Sequence, residues 1–338
     1  MTTRFVPALL AGLALGLAAT AGAEPLRVVT TVPDLADLVR QVGGDVVAVE
    51  ALVKGPQDAH FVEPRPSFVR ALHQADLFVE VGLELEIGWA PVLLKSARNP
   101  KVLPGGEGYL EAASAIAPLE VPTTRVDRSM GDVHPYGNPH FLSDPLNGLR
   151  VAAAIRDRLA RLRPGEAQGF EARYQAFARR LMERLVGGDL AARHAPEVLA
   201  SAIEAGRLDA FLSGGEAERL GGWLGALHPF AGTRVVQDHR LWPYFARRFG
   251  LEPVAELEPK PGIAPTTAHL AEVIERVRAL EVPVILASPY FDPRHARRVA
   301  EQTGARVVVL AHQVGAREGT DGYLEMVDYN VRQVAQAL

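Results

Sequence analysis

Beyond its first two dozen residues, the chain alternates between two hydrophobic rhythms. Short β-branched runs are followed by stretches whose apolar positions recur every three or four residues. Leu26–Thr30 predicts a strand. Pro33–Val42 predicts an amphipathic helix, with proline near its first position and Gly43-Gly44 at its end. Val47–Val53 predicts the next strand, Pro66–Ala75 a helix, Leu77–Val81 a strand and Lys101–Leu103 a short strand. Alternating β and α elements predict a parallel sheet with helices on both faces.

The rhythm then changes. Asp144–Leu162 and Pro164–Val186 both read as helices. In the second, Phe170, Tyr174, Phe177, Leu181 and Leu185 share one face, and Gly187-Gly188 ends it. A second α/β series follows, with strands at Arg234–Gln237, Pro253–Leu257, Pro283–Ser288 and Arg306–Leu310. Between the long helix and this series, 188–232 holds helical pieces at Pro196–Ile203 and Glu216–Leu227, punctuated by glycines. The expected fold is α/β: two lobes, each with a parallel sheet flanked by helices, joined by one long rigid helix. The expected boundaries are 24–163 for the first lobe, 164–187 for the linking helix and 188–338 for the second. A length of 338 residues also exceeds one typical core.

The N-terminus reads as an export signal covering 1–23. Arg4 is its positive region, Val6–Ala19 its apolar region and Ala21-Gly22-Ala23 its small-residue cleavage site before Glu24. The apolar run is short for a membrane anchor. The expected destination is the periplasm. No cysteine occurs anywhere, which removes disulfides, thiolate metal ligands and cysteine nucleophiles, and argues against a lipid anchor at the cleavage point. A net charge of −4 without basic runs gives no case for nucleic acid.

Of ten histidines, three have a distinctive setting. His60 lies in a loop soon after a predicted strand, His140 just before a predicted helix, and His239 directly after the strand Arg234–Gln237. Ligands of open α/β sheets bind beyond the carboxyl ends of the strands. Three neutral imidazoles converging there form a transition-metal site. The first two belong to one expected lobe and the third to the other, as a metal held between lobes requires.

The surroundings of these histidines resemble the TroA-like family of periplasmic zinc and manganese receptors of ABC transporters. Asp58-Ala59-His60-Phe61-Val62-Glu63-Pro64-Arg65-Pro66-Ser67 is similar to that family's Asp-Pro-His-x-x-Glu-x-x-Pro-Ser segment, with Ala59 in place of proline. Pro139-His140 followed by Asp144-Pro145 is similar to its Pro-His-x-x-x-Asp-Pro segment, with Leu142 where tryptophan is usual. His239 followed by Tyr244-Phe245-Ala246, then Glu258–Gly262 and Tyr323–Asn330, complete a likeness that runs nearly end to end. The resemblance implies His60, His140 and His239 as metal ligands. The family commonly places a fourth ligand, an aspartate, in the loop after the last strand. Here that loop reads Val309–Gly315, the acid is missing, and His312 stands beside its position. The expected donor set is therefore His60, His140, His239 and His312, with water or a carboxylate as the other candidates for the fourth place. Many zinc receptors also carry a long His- and acid-rich stretch ahead of the second histidine. Here it is short, with Asp127, Asp132 and His134, which argues against delivery of metal from it.

A nitrogen-rich, oxygen-poor site favours Zn²⁺ as transported ligand over Mn²⁺. Glu63, Asp144 and Asp238 are candidates to accept the second ring N–H of a ligating histidine; Asp144 is equally a helix N-cap before Pro145. His73, His194, His228, His269 and His295 read as helix or surface residues. The implied function is periplasmic zinc capture by a monomer and delivery to an integral-membrane ABC permease. The chain has no phosphate-cradling Gly-x-x-x-x-Gly-Lys motif, so the ATPase belongs to a separate subunit. The alternatives are a secreted zinc hydrolase with an open three-histidine site, against which stands the lack of a His-Glu-x-x-His motif, and a metal-binding adhesin or buffer on the same fold.

Overall fold

A computed structural model describes residues 24–124, 134–212, 219–260 and 262–338. The expected export signal lies outside them. Among the described residues no helix is long and apolar enough to cross a membrane.

The first half runs β1 (Leu26–Thr30), α1 (Pro33–Gly43), β2 (Val47–Ala51), α2 (Pro66–Gln74), β3 (Leu77–Glu80), α3 (Ala90–Ala97) and β4 (Tyr109–Glu111). Its strands form a parallel sheet in the order β2-β1-β3-β4. The second half contains β5 (Arg234–Gln237), β6 (Glu252–Glu256), β7 (Val284–Ala287) and β8 (Arg306–Val309), again all parallel, in the order β6-β5-β7-β8. Both sheets therefore reverse direction of winding at their second-placed strand, β1 or β5. That reversal opens a crevice at the carboxyl edge of each sheet.

One strand differs from the expected pattern. Lys101–Leu103 is not a strand: Pro100–Val102 is a 3-10 turn, and the Asn99 side chain accepts a hydrogen bond from the Lys101 amide at 3.2 Å. Pro100 favours the turn and cannot donate to a ladder. The edge strand is Tyr109–Glu111, whose three residues are too few to show alternation.

Between the sheets lie α4 (Pro145–Leu162) and α5 (Ala167–Val186). A 3-10 turn over Pro164–Glu166 leads into α5, so the long helix that links the lobes begins in that turn. Its buried face carries Phe170, Tyr174, Phe177, Leu181 and Leu185, as the spacing predicts. Among the described residues four short helices follow: α6 (Gly188–Arg193), α7 (Pro196–Glu204), α8 (Leu208–Phe211) and α9 (Gly222–Leu227). Of these, α6, α7 and α9 pack on α5. Part of the expected helix Glu216–Leu227 lies outside the described residues. The remaining helices are α10 (Pro243–Phe249), α11 (Thr267–Ala279), α12 (Pro293–Thr303) and α13 (Tyr323–Ala337).

One apolar core passes from the first sheet, through α4 and α5, to Val235, Val284 and Leu286 of the second sheet. The opposite side of the second sheet, with Val236 and Ile285, packs on α11 and α12 as a smaller separate core. The two lobes are thus welded along α5.

Candidate metal centre

The loops at the carboxyl edges of the two sheets meet, and His60, His140 and His239 meet with them. Their ring centroids lie 5.3 Å (His60–His140), 5.9 Å (His60–His239) and 5.7 Å (His140–His239) apart. One nitrogen from each falls within 4.8 Å of the other two, and among the described residues this is the only such group of three potential metal donors. His140 does not follow a strand, unlike the other two; it lies in the approach to α4, just before the 3-10 turn Phe141–Ser143.

Each ring is held differently. The Nδ1 of His60 is 2.7 Å from Asp58 Oδ1, which also accepts the His60 backbone N–H at 2.9 Å. The Nδ1 of His239 is 2.7 Å from Glu258 Oε2. A carboxylate accepts but does not donate, so both rings carry their proton on Nδ1 and turn an Nε2 lone pair outward. This is the orientation in which imidazole binds a metal and a carboxylate fixes its tautomer. The Asp58 carboxyl is held below its usual range: burial pushes it up, but the bonds to His60 outweigh burial. The His140 loop is pinned across the lobes. Asn138 Oδ1 accepts the His140 amide at 2.9 Å, its Nδ2 donates to the Arg240 carbonyl at 2.7 Å, and Tyr244 donates to the Asn138 carbonyl at 2.8 Å. Burial, then the neighbouring imidazoles, hold His140 well below the ordinary histidine range, so its ring stays neutral and open to a cation.

None of the three expected ring partners takes that role. Glu63 is exposed. Asp238 is buried, but its oxygens accept from the backbone of His239 and from the amide and hydroxyl of Ser288. Asp144 is an N-cap, accepting from the Leu146 amide at 3.0 Å, and pairs with Arg248 through two bonds of 2.8 Å. The acids that orient the rings are Asp58 and Glu258. Asp58 had a signal, an acid two residues before a histidine and able to cap its amide. Glu258 stands in a segment the family likeness picks out, but its role as ring partner appears only once β6 is paired with β5.

His312 reaches the same cavity but stands outside the group of three. Its Nε2 is 3.1 Å from the Gln57 carbonyl, to which it donates, its ring meets Tyr290 edge-on at 4.7 Å, and its Nδ1 is buried without a hydrogen-bond partner. The next residue, Gln313, donates from Nε2 to the carbonyls of Lys54, Gly55 and Gln57. Metal delivery from the short loop that holds His134 was not expected, yet the His134 Nε2 lies 3.3 Å from His60 Nε2. His73 and His269 bond to the carbonyls of Ala97 and Glu256. The cavity beside His60 and His140, lined also by Asp34 and Trp242, measures about 50 Å³. Sites for organic ligands are typically several hundred Å³ (~300 or more); this one suits an ion and its water.

The family described as the periplasmic component A of the zinc-uptake complex matches residues 28–184 and 224–337. The chain belongs to this family. It is similar to the manganese ABC transporter substrate-binding lipoprotein PsaA of Streptococcus pneumoniae, with 23% identity over 96% of this chain and 92% of that protein. It is likewise similar to the high-affinity zinc uptake system protein ZnuA of Paracoccus denitrificans (strain Pd 1222), with 27% identity over 96% of this chain and 94% of that protein. A solved structure of ZnuA superposes with a TM-score of 0.68 at 22% identity, covering 93% of this chain and 99% of that one; at that identity the likeness establishes the fold. These relatives are solute-binding transport proteins, so the family member described here is not an enzyme, and the hydrolase alternative is set aside.

Proposed function

We propose that the protein captures Zn²⁺ outside the cytoplasmic membrane and hands it, as a monomer, to an ABC permease driven by a separate ATPase subunit. Zn²⁺ is cargo here, held by Nε2 of His60 and His239 and by a ring nitrogen of His140, with ligand distances near 2.0–2.1 Å. The observation that carries this reading is that the carboxylates in contact with the rings, Asp58 and Glu258, are spent on Nδ1 positions. What the three rings offer the ion is nitrogen. Manganese prefers oxygen donors and stands lowest in the affinity order of first-row divalent ions, so an all-imidazole set favours zinc. His312, the fourth donor expected from the sequence, bonds through Nε2 to the Gln57 carbonyl and keeps a buried Nδ1 without a partner.

The test is competitive metal binding on the secreted form, read by mass spectrometry under native conditions. One Zn²⁺ per chain, not displaced by an excess of Mn²⁺, is the expected result. Stoichiometric Mn²⁺ retained against equimolar Zn²⁺ would overturn the assignment of the cargo.

A further inference from the structure

His134 lies six residues before His140, on the same loop. That loop is shaped, not slack. The Gly137 amide donates to the His134 carbonyl at 3.3 Å, and the Asn138 amide to the Leu119 carbonyl at 2.8 Å. Gly137 has φ +112°, and a Cβ there would come within 2.6 Å of Pro118 Cβ, so only glycine makes this bend easily. The bend returns the His134 ring to His60. Their centroids are 5.4 Å apart, within the range spanned by the three rings already described, and their Nε2 atoms are 3.3 Å apart.

That contact has a chemical consequence. Because Asp58 fixes the His60 proton on Nδ1, His60 Nε2 carries a single lone pair. The Leu83 carbonyl accepts from the His134 ring, so the single N–H of the neutral ring is already spent and none is left for His60. Two nitrogens each about 2.05 Å from one tetrahedral ion are separated by about 3.3 Å, which matches the separation seen between His60 and His134. An ion on His60 therefore has a position within bonding distance of both nitrogens. His134 needs only to carry its proton on Nδ1 and turn toward the ion, since its Nε2 does not yet reach all three other rings.

We propose that His134 supplies the fourth nitrogen to the metal ion. This rests on the reading of His60, His140 and His239 as ligands and extends it. It places the last donor in the loop ahead of α4 instead of the loop after β8. There, His312 spends its Nε2 on the Gln57 carbonyl, and its Nδ1 makes it the competing donor.

X-ray absorption at the zinc edge of the fully loaded protein counts imidazoles directly. The wild type should show four. His134→Ala should show three with an added oxygen and bind Zn²⁺ about 100-fold more weakly, while His312→Ala keeps four imidazoles and its affinity within about threefold. Three imidazoles in the wild type overturn the proposal without any variant being needed. So does a count that falls in His312→Ala and not in His134→Ala, or a His134→Ala protein that binds as tightly as wild type. Failure of the underlying site would look different: His60→Ala would then bind Zn²⁺ normally. Thermal melting of each metal-free variant confirms that a lost affinity is not a lost fold.

Discussion

His60 and His239 are held by bonds of the same kind and the same 2.7 Å length, yet the chain arrives at them by opposite routes. In the first lobe the orienting acid, Asp58, comes from the same loop two residues away and is a quarter exposed. In the second lobe the acid, Glu258, lies nineteen residues on, beyond a neighbouring strand, and is nine-tenths buried. The first arrangement forms locally as the loop folds. The second exists only when β5 and β6 are in register, with the Glu258 amide itself bonded to the Asp238 carbonyl at 3.1 Å. One lobe carries its half of the site as a local motif; the other assembles it from tertiary structure.

The most drastic way to test this comparison is to remove a ligand from either side. His60→Ala and His239→Ala should each weaken Zn²⁺ binding by at least about 100-fold, measured by competition with a chelating dye. Equal affinity of His239→Ala and wild type would remove the second lobe from the site altogether. Next in size are the orienting acids. Glu258→Ala and Asp58→Ala should each lower affinity by about 10–100-fold. Glu258→Ala should have the larger effect, because its ring has no local substitute for the lost partner and the exposed Asp58 position admits water. The reverse order would mean that the loop, not the sheet, governs alignment.

A third prediction concerns protons. Burial pushes Asp34 up to about 7, and its Oδ1 has no hydrogen-bond partner while Oδ2 accepts the Val314 amide at 3.1 Å. A carboxyl whose folded pKa is raised binds more protons folded than unfolded. It therefore subtracts stability as pH rises from about 4 toward 7. Asp34→Asn keeps the acceptor for Val314 and abolishes that slope. The metal-free variant should be more stable than wild type at pH 7.5, by something on the order of 2–4 kcal/mol, with the gain shrinking to nothing near pH 4. Denaturant melts at the two pH values measure it; a constant difference would mean that Asp34 is ionised in the folded protein. The smallest expected effect is on shape. With one core running through α5, scattering profiles of the metal-free and metal-loaded protein should nearly coincide; a marked change in radius of gyration would show that the lobes swing.

The comparison also explains what could be read in the sequence. The alternating elements of both lobes, the face of α5 and the three histidines were legible because each rests on a local pattern: period, capping residue, or a histidine at a loop. Asp58 was within reach for the same reason. Glu258 was not, since its role depends on strand pairing. The edge strand Tyr109–Glu111 was hidden by its length, while Val102-Leu103 had the right residues and the wrong neighbour in Pro100. His134 was passed over because its loop is short, but shortness is what brings the ring back to His60.

A receptor that hoards its cargo is of no use to a transporter, and Gln313 bears on how this one lets go. One amide nitrogen, with two hydrogens, serves three carbonyls of the opposite lobe at 2.8–3.1 Å. One hydrogen must therefore serve two of the carbonyls, and those two bonds are each weaker than a bond with a hydrogen of its own. Alongside, Gly55 and Gly315 touch so closely that a Cβ on Gly55 would fall 2.1 Å from the Gly315 carbonyl carbon. The same seam also carries the His312 bond to the Gln57 carbonyl and the Val314 bond to Asp34. Opening this side of the cavity means replacing the donors on Lys54, Gly55 and Gln57, and it leaves the core along α5 intact.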